Sequence, residues 1–153
     1  MQRIAAQTAL QWSAMKLSLL VCCIVLISCR VDGLFGRMQR VIATGELFCG
    51  TKSAAGVKVK LIDIDTGPDD VMDEKYTDSN GKFHVDGQTE EITSIDPVLK
   101  IYHDCNDGKP GKRRWKLDIP KKYIGTSGKT PPTFDLGRVN LEAILHDEER
   151  DFI

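Results

Sequence analysis

Hydrophobic and polar residues alternate through most of the chain from Val41 onward. A period of two marks strands with one buried face and one wet face. The clearest case is PVLKIYHDC, Pro97 to Cys105, in which Leu99, Ile101, His103 and Cys105 alternate with Lys100, Tyr102 and Asp104. Cys105 therefore points the same way as Leu99 and Ile101. Val41 to Cys49 (VIATGELFC) sets Val41, Ala43, Leu47 and Cys49 on one face and Thr44 and Glu46 on the other. Gly56 to Asp65 turns Val57, Val59 and Leu61 inward and Lys58 and Lys60 outward, and Lys82 to Asp86 separates Phe83 and Val85 from His84 and Asp86. Arg113 to Ile119 puts Trp115, Leu117 and Ile119 on one side and Arg114, Lys116 and Asp118 on the other. Phe134 to Leu145 alternates through Val139, Leu141, Ala143 and Leu145.

The segments between are rich in breakers. Gly50 to Gly56 reads as a polar turn, and TGPDD (Thr66 to Asp70) interrupts the ladder because Gly and Pro continue a strand poorly. Asp78-Ser79-Asn80-Gly81 joins Val71–Thr77 to Lys82–Asp86, and Asn-Gly there predicts a type I′ hairpin. Gly87 to Asp96 is polar and acidic and reads as irregular, with one helical turn at Glu90–Ile92. Asn106 to Gly111 is a further turn, and Pro120 ends its strand. Lys121 to Pro132 is a long loop anchored by Tyr123 and Ile124, and His146 to Ile153 is a charged tail. The pattern predicts an all-β chain of about seven to eight short strands without a long helix, an antiparallel β-sandwich.

The N-terminus has a different grammar. LSLLVCCIVLIS, Leu17 to Ser28, is uncharged, follows Met15-Lys16 and precedes Arg30. It is shorter than the ~20 residues of a membrane span and fits a secretory signal peptide, with a retained signal anchor as the rival reading. Residues 1–33 are read as the signal region, with Met15 as a more ordinary start than Met1. Residues 34–150 form one domain, and the mature chain is expected to be secreted. The whole chain carries a formal net charge of −1; residues 34–153 hold 18 basic and 21 acidic groups, which argues against a nucleic-acid partner. Export also gives the cysteines a meaning. Cys49 and Cys105, both turned inward, are well placed for a disulfide pinning one strand to another. Cys22, Cys23 and Cys29 fall in or beside the signal region.

Three constellations carry candidate chemistry. Asp63, Asp65, Asp69, Asp70, Asp73 and Glu74 suggest calcium, but their spacing is not that of an EF-hand, and they read instead as a solvated loop and strand edge. His103 next to Asp104 and Cys105 lacks the further ligands that zinc needs, so it reads as a satisfied, partly buried histidine, and no metal is expected. Lys109, Lys112, Arg113, Arg114, Lys116, Lys121 and Lys122 form the basic counterpart, relieved only by Asp118. They are the candidate patch for an anionic ligand such as a lipid surface, against the alternative of plain solvated charge.

GELFCG, AAGVKVKLIDIDTGPDDVMDEKYTDSNGKFHVDG, EITSIDPVLKIYHDCNDGKPG and GKTPPTFDLGRVNLEA closely resemble the nematode transthyretin-like family across Val41 to Arg150. The resemblance implies a transthyretin-type (prealbumin-type) sandwich of two four-stranded sheets, secretion, and a binding rather than catalytic role. One family member bridges exposed phosphatidylserine on dying cells. Many members carry cysteines where this chain has Gly111 and Phe152. Their joint absence implies that those two pair with each other elsewhere, leaving Cys49 with Cys105 here and a freer tail. Two alternatives stand beside the binding role. One is a structural extracellular protein. The other is an enzyme like 5-hydroxyisourate hydrolase, whose terminal Tyr-Arg-Gly-Ser is missing from this DEERDFI end. Neither catalytic residues nor a cofactor are expected, and the binding role stays open between an anionic lipid head group, a small apolar ligand and a cell-surface receptor.

Overall fold

The computed structural model describes residues 36–64, 68–126 and 128–152. The signal region 1–33, the start at Met15, Cys22, Cys23, Cys29 and Asp65 lie outside the described residues. Ten strands follow one another: β1 (Arg37–Cys49), β2 (Lys52–Ser53), β3 (Lys58–Asp63), β4 (Asp70–Tyr76), β5 (Lys82–Glu91), β6 (Pro97–His103), β7 (Lys112–Asp118), β8 (Gly125–Thr126), β9 (Thr133–Asn140) and β10 (Glu149–Asp151). Seven of them have six residues or more, in line with the expected seven to eight. Two short ones, β2 and β8, bring the first sheet from three strands to five, and β10 brings the second from four to five, where two sheets of four were expected.

In the first sheet β1 is central. β5 and β2 pair with it antiparallel. β8 pairs antiparallel with Gln39 and Arg40, and β9 pairs parallel with Ile42 to Phe48. The second sheet runs β10-β7-β6-β3-β4, every neighbour antiparallel. The inward residues expected from alternation are the ones that meet between the sheets: Val41, Ala43, Leu47, Val59, Leu61, Val85, Leu99 and Ile101 are fully buried, with Phe83 and Trp115 beside them. Burying each of the larger aliphatic side chains stabilises by about 2 kcal/mol. At one end of this core Cys49 and Cys105 form the expected disulfide, Cα to Cα 5.6 Å, tying the first sheet to the turn after β6.

Four expectations fail, each for a local reason. The Asn-Gly turn is no hairpin, since β4 belongs to the second sheet and β5 to the first. The Asp78 carboxylate accepts from the amides of Asn80 and Lys82 and so turns the chain by itself. Only Gly81 takes a positive φ, and a side chain there would run into the Leu47 carbonyl. Residues 87–91 are not irregular, because β1 starts at Arg37 and pairs with β5 as far as Glu91. Gly87 sits where β4 crosses close by; a Cβ would fall 2.5 Å from that of Met72. β9 stops at Asn140, whose side-chain oxygen accepts from the amides of Gly50 and Glu142 and bends the chain away from the strand.

The charged tail is the fourth, since it contains a strand. Without the cysteine it is held by β10 pairing with β7, and Arg150 reaches the Pro110 carbonyl at 3.1 Å and Asp107 at 2.7 Å. Gly111 and Phe152 lie against each other, a Cβ on Gly111 falling 3.1 Å from the Phe152 ring. Packing stands at the place where the resemblance puts a bridge.

Candidate functional site

Strand order decides which cations share a surface. On the outer side of the second sheet, side chains of equal parity line up across β4, β3, β6, β7 and β10. One row reads Tyr76, Lys58, Tyr102, Arg114, Glu149. The next reads Glu74, Lys60, Lys100, Lys116, and the third Val71, Ile62, Val98, Asp118. Three adjacent strands thus carry lysines directly opposite one another, an arrangement that works against sheet stability. Acids on the flanking segments offset part of that cost. Lys60 meets Glu74 at 3.0 Å, Lys100 meets Asp69 at 2.5 Å, and Arg114 pairs with Glu149 and, at 3.1 Å, Asp151. The hydrogen bond with Glu74 holds the Lys60 ammonium above its ordinary pKa, and the same bond holds the Glu74 carboxyl below its own. The ammonium of Lys60 lies 5.8 Å from the centre of the Tyr102 ring, and that of Lys58 5.8 Å from Tyr76. Lys116 is exposed and has no ion-pair partner among the described residues.

The seven cations expected to form one patch are dispersed. Arg114 and Lys116 belong to the lysine face. Lys112 shares their parity but pairs with Asp104, which lies below its ordinary pKa through that hydrogen bond. Lys109 lies in the turn before β7. Lys121 and Lys122 lie on a 3₁₀ turn (Lys121–Tyr123) beyond its other end, Lys121 paired with Asp96 at 3.1 Å and Lys122 over the Tyr123 ring. Seven strand residues span about 20 Å, more than two Debye lengths of about 8 Å at physiological salt, so the two ends do not act as one charge. Alternation misses Lys58, Lys60 and Lys100 as members of the patch. It marks them as outward, but only the order β7-β6-β3 shows that they are neighbours.

Arg113 leaves the surface altogether. It is odd-numbered like Trp115, turns inward, and is 6% exposed. Its Nε and Nη2 donate to Glu148 at 2.7 and 2.6 Å, Nη1 to the carbonyls of Leu141 and Cys105 at 3.0 and 3.3 Å, and Nη2 to Ala143 at 2.6 Å. Trp115 donates its indole N–H to the same carboxylate at 3.0 Å. The Arg113 hydrogen bond draws the Glu148 pKa down to about 2. His103 stands edge-on to Trp115, ring centres 5.1 Å apart. It is not the satisfied histidine the sequence suggests: it is 2% exposed, and neither ring nitrogen has a hydrogen-bond partner among the described residues. Burial, helped by Arg113, draws its pKa down to about 4, so it is neutral at physiological pH.

The remaining candidates are scattered. Asp63 is buried and accepts from the Asp96 amide; Asp69, Asp73 and Glu74 each meet a lysine. Among the described residues no group of three or more His, Cys, Asp or Glu is placed to hold a metal. His84 lies on the outer side of the first sheet, His103 in the core and His146 beyond β9.

Comparison with known proteins agrees with this architecture. A family model described as the transthyretin-like family matches residues 44–120. Transthyretin-like protein 46 of Caenorhabditis elegans is 51% identical over 122 residues, 76% of this chain and 68% of its own. Transthyretin-like protein 33 is 49% identical over 70% of this chain and 77% of its own, and protein 5 is 40% identical over 90% and 98%. Among solved structures, a 9R-lipoxygenase from Cyanothece aligns with a TM-score of 0.39 and 22% identity over 67% of this chain and 16% of its own, too slight a likeness to bear on fold or function. On the family match and these identities, the chain belongs to the transthyretin-like family.

Proposed function

We propose that this protein is a secreted, non-catalytic binding module whose lysine-bearing sheet face docks on an anionic surface of phosphatidylserine-type head groups. The observation that carries the reading is the cross-strand row Lys60, Lys100 and Lys116, flanked by Lys58 and Arg114. A lysine near an anionic membrane contributes about 1 kcal/mol, so three in a row are worth roughly a hundredfold in affinity. Membrane phosphates would compete with Glu74 and Asp69 for ammonium groups already gathered in one place. Support for export comes from the uncharged N-terminal run and from a disulfide, a bond that persists in oxidising compartments.

The test is co-sedimentation with phosphatidylcholine vesicles with and without phosphatidylserine. Binding is expected only with the anionic lipid, to weaken strongly at about 0.5 M salt, and to fall about a hundredfold when Lys60, Lys100 and Lys116 are all changed to Gln. Equal binding to both vesicles, or a triple variant that binds like the parent, overturns the reading. Protein-dependent hydrolysis of 5-hydroxyisourate well above the spontaneous rate would overturn its non-catalytic half.

A further inference from the structure

The opposite face of the molecule has an ordered array of its own. On the outer side of the first sheet, Thr44 of β1 lies in register with His84 of β5 and with Asp135 of β9. Two residues further along β1, Glu46 lies in register with Lys82 and with Arg138. These six side chains border one open hollow of about 470 Å³, within the size range of small-molecule sites.

The second row exists only because of a bulge. Asp135 and Arg138 are three residues apart, and in a regular strand they would face opposite sides. The pairing shifts between Thr44 and Glu46, so that two β1 residues are matched by partners three apart on β9. Gly137 at φ +72° takes up the extra residue. Such bulges re-aim a side chain, and they cluster near functional sites. Here the effect is to bring Arg138 onto the face that Asp135 already occupies.

The two rows differ in charge. The first is one carboxylate with a hydroxyl and an imidazole. The second is two cations around one acid, Arg138 lying 3.7 Å from Glu46 with its guanidinium over Phe48. Among the described residues the Thr44 hydroxyl, the Lys82 ammonium and the His84 imidazole make no hydrogen bond. Asp135 Oδ1 accepts from the Gly137 amide at 2.9 Å, which leaves Oδ2 for a ligand, and Asp78 Oδ1 at the rim accepts from two amides of its own turn. Rows two residues apart are separated by about 6.7 Å.

We propose that this hollow binds a small zwitterion of dipeptide length, its ammonium on Asp135 and Thr44 and its carboxylate on Lys82 and Arg138. Two extended residues reach about 7 Å, which matches the spacing of the rows. A free amino acid is too short to reach both, and a protein chain end carries only one of the two charges.

Alanylalanine is the probe, titrated into the disulfide-bonded protein by calorimetry and followed by amide shifts at Thr44 and His84. Saturable binding is expected at a Kd of about a millimolar or tighter. N-acetyl-alanylalanine, alanylalanine amide and free alanine are each expected to bind at least tenfold more weakly. Lys82→Gln and Asp135→Asn should each lose about tenfold in affinity with the thermal midpoint unchanged, since both side chains are exposed. The proposal is overturned by capped peptides that bind as well as the free one, by no saturation at about 10 mM, or by both variants binding like the parent.

Discussion

On the inner side of β7 the Arg113 guanidinium donates to Glu148 and to three carbonyls, with almost no contact with water. One residue along, on the outer side, Arg114 and then Lys116 stand among other cations with acids only at the edges. The two regions hold residues of the same type, in the same run of sequence, under opposite physics. Inside, each donor of Arg113 has a fixed acceptor, and removing any member leaves a desolvated group unpaired. Outside, the acids that pair with Lys60, Lys100 and Arg114 reach water, which screens those pairs. A count of lysines and arginines along the chain therefore measures neither the stability of this region nor its surface potential.

The comparison breaks most sharply at Arg113. Arg113→Ala is expected to cost 3–5 kcal/mol, the range for breaking a buried pair, read as a fall in the urea midpoint, whereas Lys116→Ala should stay within about 0.5 kcal/mol. Equal effects would mean that Arg113 is no clasp. Changing both Arg113 and Glu148 to Met should not restore the loss, because the carbonyls of Cys105 and Leu141 would still lack their donor.

The disulfide is the next lever, since Arg113 grips the carbonyl of Cys105 itself. Cys49 and Cys105 are 56 residues apart, and losing their bond costs about 4 kcal/mol by the chain-entropy model, often less in practice. Unfolding with and without reductant measures it. Coupling with Arg113→Ala should be non-additive, because both hold the same turn.

Acid sharpens the contrast a third way. His103 has its pKa drawn from 6.5 down to about 4, so between those values the unfolded chain takes up a proton that the folded one refuses. Stability is full above pH 6.5, falls as the pH drops toward 4, and is lower by about 3 kcal/mol below that. Glu148, drawn below its ordinary value to about 2, adds a further loss as the pH falls from 4.5 toward 2. Around His103 lie Arg113, which opposes its protonation, and Glu148, Asp104 and Asp107, which favour it. His103→Phe should flatten the stability curve between pH 6.5 and 4; an unchanged slope would place the acid sensitivity elsewhere. Lys116→Gln should leave that slope unchanged, the smallest effect of the set, since among the described residues Lys116 has no carboxylate partner.

Most of the layered fold was legible from the chain because the side chains of a strand alternate strictly. Phe83 with Val85, and Leu99 with Ile101, announced their buried side one residue at a time, and the same rule turned Cys49 and Cys105 toward each other's layer. That local rule also assigned Lys58, Lys60, Lys100 and Lys116 to wet faces and left them unrelated, because residues 40 positions apart, as Lys60 and Lys100 are, or 16, as Lys100 and Lys116 are, become neighbours only when strand order is set. Tertiary packing alone decided the rest. It sent the Asp78–Gly81 turn from one sheet to the other, supplied Glu148 as the partner of an Arg113 that parity already turned inward, docked the tail without a second bridge, and let one glycine bulge place Arg138 beside Asp135. Each of these depends on a partner distant in sequence, and a period of two carries no information about partners.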